Sequence, residues 1–146
     1  MRLHLGTGTE ALGRDIVPLL SDADRAELEA LSDGHGAAAI SAVAARSLQT
    51  WCGTLDGRPL FLAGVLPGGA AWMIGTPEIA RARKFYLRAT RQMCAEMQAM
   101  FPVITTNVDA RCTRSRRWLG WLGFEMGEPV TFAGRTVIQA YRHTVI

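Results

Sequence analysis

Lysine is nearly missing from this chain: Lys84 stands alone against fifteen arginines. Cysteine is scarce as well. Cys52, Cys94 and Cys112 are an odd, scattered set of three with no CxxC pair. That pattern excludes a disulfide scaffold, argues against a structural zinc, and suits a reducing compartment. A long apolar run is also lacking. Residues 59–75 lie in the longest uncharged stretch, and Pro67, Gly68 and Gly69 interrupt it, whereas a membrane helix needs about 20 continuous apolar residues. The opening MRLHLGTGTEALGRD holds no apolar segment of signal-peptide length. A cytoplasmic protein without a membrane partner is expected. Internal repeats and low-complexity linkers are absent.

What is present is an ordinary globular composition. The chain has 146 residues, of which 49% are hydrophobic and 20% charged, with a net charge of +3. Such values exclude intrinsic disorder. The length predicts one domain, 1–146, that buries roughly 68–70% of its unfolded surface. Charge is unevenly placed. Residues 1–58 carry eight acids and five bases, and residues 59–146 carry five acids and eleven bases. Arg81, Arg83, Lys84, Arg88 and Arg91 form one basic cluster, and Arg111, Arg114, Arg116 and Arg117 form another. Patches of this kind favour an anionic partner, either a phosphorylated cofactor or nucleic acid.

Periodicity and turn chemistry predict the elements in order. Residues 2–6 read as a strand, followed by two helical pieces. The second of these opens at Ser21, a good N-cap with acids in the first turn. Residues 37–46 are a third helix. Strands at 48–55 and 58–66 flank Asp56-Gly57, a two-residue hairpin turn. A Pro-Gly-Gly turn leads to a strand at 70–75. Thr76-Pro77-Glu78 then predicts a helix start with a capping oxygen from Thr76, running to Met100. Ile79, Ala82, Tyr86, Ala89, Met93, Met97 and Met100 recur at helical spacing as its core face. A strand at 103–108, a short helix at 110–122 and a hairpin of 124–132 with 135–143 around Ala133-Gly134 complete the chain. The class is mixed α/β, with one mostly antiparallel sheet and helices on both faces.

The segment DARCTRSRRWLGWLGFE, between a strand and a hairpin, resembles the C-terminal motif of the Gcn5-related N-acetyltransferase (GNAT) superfamily, in which a helix ends in a Gly-Phe pair, here Gly123-Phe124. The element order matches that fold. ADRAELEAL, WMIGTPEI and NVDARCTRSRRWLGWLGF together resemble the phage-encoded branch related to the internal virion protein of T7-like phages. The resemblance spans about residues 2–142. It implies acyl transfer from acetyl-CoA to an amine of a protein or small molecule, in a bacterial host, with virion association and virion proteins as partners in the phage branch. It also implies that the strand before the long helix parts from its neighbour, that its exposed backbone pairs with pantetheine, and that the pyrophosphate sits at the helix start, where N–H groups and the dipole favour anions. Those positions are Trp72, Met73, Ile74, Gly75 and Thr76, then Arg81, Arg83 and Lys84; Cys112 stands where the family's helix-opening Asn does.

The sequence departs from the family pattern at three further places. Pro77 follows Thr76 directly, with no glycine-rich anion nest. Leu119 occupies the position of the Tyr that often protonates the leaving thiolate. The strand at 70–75 carries no Glu to act as base. No catalytic residue is therefore assigned, and a non-catalytic virion or assembly module is the alternative. Nucleic-acid binding through the arginine clusters is ranked last, because the pI of about 9.1 is mild and no known motif is present. Cys112 is expected to be a buried or half-buried inert thiol and Asp109 a helix cap, with orientation of a substrate amine by Asp109 and Asn107 the sharper alternative. Trp51, Trp72, Trp118 and Trp121 are expected as core anchors, Arg114 and Arg117 as solvated, and His4 and His143 without a role.

Overall fold

A computed structural model describes residues 2–7, 12–132 and 134–144. Its elements are β1 (Leu3–Thr7), α1 (Leu12–Ile16), α2 (Asp22–Leu31), α3 (Gly36–Arg46), β2 (Gln49–Leu55), β3 (Arg58–Val65), β4 (Ala71–Gly75), α4 (Arg83–Met100), β5 (Val103–Asp109), α5 (Thr113–Trp121), β6 (Glu125–Phe132) and β7 (Arg135–His143). Short 3₁₀ segments cover Val17–Leu19 and Pro77–Ala82.

Local chemistry explains most boundaries. Ser21 Oγ accepts the Asp24 N–H at 3.1 Å, which satisfies an orphan donor at the start of α2. Asp56 (φ 51) and Gly57 (φ 80) are both left-handed, as the two-residue turn between β2 and β3 requires. The end of α5 shows why a Gly-Phe pair belongs there. Gly123 takes φ 95, its N–H donates to the Gly120 carbonyl, and the Phe124 N–H donates to the Leu119 carbonyl, each at 3.0 Å. This is the double hydrogen-bond closure of a helix C-terminus, with apolar Phe124 and Leu119 both buried beneath it.

The chain divides into two compact units, Met1–Pro67 with Met73–Ala89, and Gly68–Trp72 with Thr90–Ile146. In the first, β1 pairs antiparallel with β2 and β2 with β3, and β4 is the outer strand beside β3. β3 is buried on both faces, with Leu60, Phe61 and Leu62 at 0% exposure. The Phe61 ring meets Phe85 and Tyr86 of α4 at 6.4 and 5.6 Å, and α1 packs on β3 and α3. In the second unit β7 lies between β5 and β6, antiparallel to each. Ile104, Val108, Ile138 and Ala140 join Leu119 of α5, Leu122 just after it, and Met93 and Met97 of α4 as its buried apolar residues. Arg142 donates to the Leu122 carbonyl and to Gln98 Oε1, fastening β7 to the ends of α5 and α4.

The class is the expected mixed α/β arrangement of mostly antiparallel strands. Two details differ. The strands form ladders of four and three rather than one sheet, and Ala70 makes a single parallel bridge to Thr105. The core row on α4 also ends one step early: Met97 is buried, but Met100, in the last turn before Pro102, is 39% exposed. Ala133, half of the expected final turn, lies outside the described residues.

Candidate functional site

Trp72, Met73, Ile74 and Gly75 are all half-buried on β4, which has a neighbour in its ladder only on the β3 side. Trp72 is thus not the core anchor that its strand position predicts, whereas Trp51 on β2 is buried. Met73 Sδ accepts a 3.7 Å hydrogen bond from the Tyr86 hydroxyl. Burial pushes the Tyr86 phenol well above its ordinary range, so it stays protonated.

The strand-to-helix junction departs from its expected form. Thr76 does not cap a helix: its hydroxyl donates to the Leu60 carbonyl at 2.9 Å, and its N–H donates to the same oxygen at 3.0 Å. With the side chain held by β3, the next six residues, Pro77–Ala82, wind as a 3₁₀ segment, and α4 begins only at Arg83. Few backbone N–H groups remain to meet an anion here. Pro77 has none, and Ile79 N–H bonds to the Thr76 carbonyl at 3.2 Å. Positive charge comes instead from side chains. Arg81 is paired with Glu78 at 2.9 Å, and Arg83 and Lys84 are exposed. A groove of about 270 Å³ adjoins the junction, walled by Pro18, Leu19, Leu55, Leu60 and Pro77, with Glu78 on its rim.

Seven of the nine candidate residues lie in the first unit; Trp72 lies in the second, and so does Cys112. It occupies the N-cap position of α5 and is exposed, not buried, with Sγ donating to Ser115 Oγ at 3.0 Å. Asp109 is not the cap of α5 either. Its carboxylate closes a turn one step earlier, accepting the Arg111 N–H at 2.9 Å and the Arg111 guanidinium at 3.1 Å. Those bonds hold the carboxyl down to about 2. Asn107 is exposed on β5, and Leu119 is buried at 6% exposure, far from any proton-donating chemistry of its own. Trp118 is half-buried, but Trp121 is 47% exposed with the Arg91 guanidinium 4.2 Å from its ring centroid, a second correction to the expected core anchors. Arg114 and Arg117 are solvated as expected, and His4 and His143 are exposed on β1 and β7. Among the described residues no group of three or more His, Cys, Asp or Glu is placed to hold a metal ion, and no helix is long and apolar enough to cross a membrane.

Sequence reasoning missed the Leu60 carbonyl and the groove walls, which are contributed by tertiary neighbours. It had a signal for Tyr86, the one hydroxyl-bearing member of the apolar row on α4.

No protein-family model matches this chain, and no curated protein matches its sequence. Solved structures do match. The aminoglycoside acetyltransferase AAC(6')-Ib, in complex with ribostamycin and coenzyme A, superposes with a TM-score of 0.69 at 15% identity, over 98% of this chain and 94% of that one. A chimera of the spermidine N-acetyltransferase SpeG from Vibrio cholerae with hSSAT gives 0.66 at 14% identity, over 98% and 96%. A protein from Desulfovibrio desulfuricans assigned to the GNAT family of acetyltransferases gives 0.63 at 14% identity, over 97% and 99%. The fold is that of the GNAT acetyltransferases.

Proposed function

We propose that residues 1–146 act as one acyl-CoA-dependent N-acetyltransferase domain whose acceptor is an amine. The observation that carries this reading is the run of β4 as an outer strand into a basic junction, on a chain that shares its fold with CoA-bound acetyltransferases over nearly its whole length. Coenzyme A would supply the reactive acyl thioester. The chain would supply main-chain polar groups of Trp72–Gly75 for the pantetheine arm and cations for the phosphates. Because Pro77 and the 3₁₀ turn remove the usual N–H nest, Arg83 and Lys84 take over the anion-binding task, with Arg81 shared with Glu78. Arginine and lysine bind phosphate as charges rather than as fixed backbone donors, so the affinity becomes salt-sensitive. In the reaction the neutral amine nitrogen attacks the thioester carbonyl; the C–N bond forms, the C–S bond breaks, the sulfur leaves as thiolate, and the proton of the amine passes to solvent. With leucine at position 119, the chain offers no side-chain acid there.

Calorimetric titration with acetyl-CoA tests the reading. Binding with a melting temperature that rises with ligand, as mass action requires, supports it. An Arg83→Gln/Lys84→Gln double variant is expected to bind about tenfold more weakly, and higher salt to weaken the native chain in the same direction. No heat and no thermal shift at millimolar acetyl-CoA would remove it.

Leu119 and the 3₁₀ junction favour one second reading: the fold kept without turnover, as a virion or assembly component of the phage branch that the three sequence segments resemble. Its signature is co-sedimentation with virions in the absence of a thermal shift with acetyl-CoA.

A further inference from the structure

The second arginine cluster has a face that the acyl-transfer reading leaves unused. α5 carries Arg114, Arg116 and Arg117 and no acidic residue, and all three arginines are exposed. At 3.6 residues per turn, Arg114, Arg117 and Trp121 fall within about 60° of one another, on the side of the helix opposite buried Leu119. Trp121 is not consumed by the core: it is 47% exposed, and Arg91 of α4 lies over its ring at 4.2 Å. A surface tryptophan under one guanidinium group, on a helix face that carries two further arginines, is an uncommon use of a large apolar side chain. Burial would stabilise it more, so its place on a basic stripe calls for a ligand that uses both ring and charge.

We infer that the Arg91, Arg114, Arg117 and Trp121 face binds single-stranded nucleic acid. The four residues lie in one compact unit and their arrangement supplies the two elements such binding needs. Guanidinium groups along the helix meet successive phosphates, and an exposed aromatic ring offers a stacking surface to any unpaired base. The face is arginine-only, with no acid on α5 to neutralise it, so its charge complements a polyanion. An acidic peptide would satisfy the arginines without stacking a base on the ring, and a duplex keeps its bases inside the stack. The inference does not depend on acetyl-CoA binding, since the stripe points away from the Leu119 side of α5.

Fluorescence anisotropy with a labelled oligothymidylate and the full chain tests this. Binding is expected to weaken steeply with salt, because counterions are released as phosphates are neutralised. Arg114→Gln/Arg117→Gln should lower the slope of log K against log salt by about 1.4. Trp121→Ala should weaken binding about tenfold, and Trp121→Phe, which keeps a stacking surface, should restore most of it. Circular dichroism of each variant checks that it is folded. The inference is overturned by absence of binding, by binding indifferent to Trp121, by equal affinity for a duplex of the same length, or by Trp121-dependent capture of polyglutamate in place of the oligonucleotide.

Discussion

Both polar groups of Thr76 converge on one oxygen, the Leu60 carbonyl, with the N–H at 3.0 Å and the hydroxyl at 2.9 Å. The residue is 4% exposed, so water cannot replace either bond. This pairing ties the end of β4 to β3 and fixes where the chain leaves the sheet. Thr76→Val keeps the shape and the N–H bond and deletes only the hydroxyl. It is expected to destabilise by about 1 kcal/mol in chemical denaturation. Far-UV circular dichroism should be unchanged, because the hydroxyl does not cap α4. A fall in helical signal would mean that Thr76 acts as a helix cap after all.

Gly68 and Gly69 share the same backbone conformation, φ 95, but not the same surroundings. A Cβ on Gly68 meets open space, and one on Gly69 would lie 2.6 Å from the Val103 carbonyl oxygen. Gly69 also accepts the Thr105 N–H at 2.9 Å, next to the Ala70–Thr105 bridge. Gly68→Ala should therefore show only the left-handed penalty, about 1 kcal/mol. Gly69→Ala adds a backbone clash that no side-chain rotation relieves, and its loss in denaturation midpoint should be at least twice as large. Equal losses would show that the Val103 segment yields freely.

Element order and nearly every boundary were legible because they are set by near neighbours in sequence: Ser21 with Asp24, Asp56 with Gly57, Gly123 with Phe124. The junction after β4 was not. Thr-Pro-Glu carries every local mark of an α-helical start, but the hydroxyl that would cap it is taken by Leu60, sixteen residues earlier and adjacent only in the folded sheet. The exposure of Cys112 and the division of the strands into two ladders are likewise tertiary facts. Trp121 differs, since two residues beyond buried Leu119 is about 200° around the helix, a spacing that already places it on the outer side. Tryptophan's usual preference for the interior obscured that signal. Of the candidate site, the strand at 71–75 and the exposed Arg83 and Lys84 could be placed from sequence, and the 3₁₀ turn between them could not.

Asp109 ties electrostatics to pH. Arg111 contributes a backbone and a guanidinium donor, and the carboxyl falls from 3.8 to about 2. A carboxyl lowered in the folded state contributes stability that is fully present above the unfolded value and disappears as pH drops through the folded value. The window is thus roughly pH 4 down to pH 2. Asp109→Asn is expected to melt below the native protein at neutral pH and to approach it at pH 2. Added salt should narrow the neutral-pH difference, since the Arg111 side chain is largely exposed. A gap that persists undiminished at pH 2 would assign the effect to packing or to the turn itself.

The three thiols differ enough to be told apart by reactivity. Cys52 and Cys94 are 3% and 7% exposed, and burial pushes the Cys52 thiol up to about 11 and the Cys94 thiol upward against the opposing charge of Arg142. A thiol that is both hidden and protonated is a poor nucleophile. Cys112 is exposed at the start of α5, with its Sγ donating to Ser115 Oγ. Iodoacetamide at neutral pH should add one group to the folded chain, at Cys112, and three after denaturation, as read by peptide mass spectrometry. Cys112→Ser should leave the folded chain unmodified. Acetyl-CoA is expected to slow the native reaction, because the position of Cys112 at the opening of α5 is part of the candidate cofactor set. An unchanged rate at saturating acetyl-CoA, with binding established by titration, would strike Cys112 from that set and leave β4, Arg83 and Lys84 as the proposed cofactor groups.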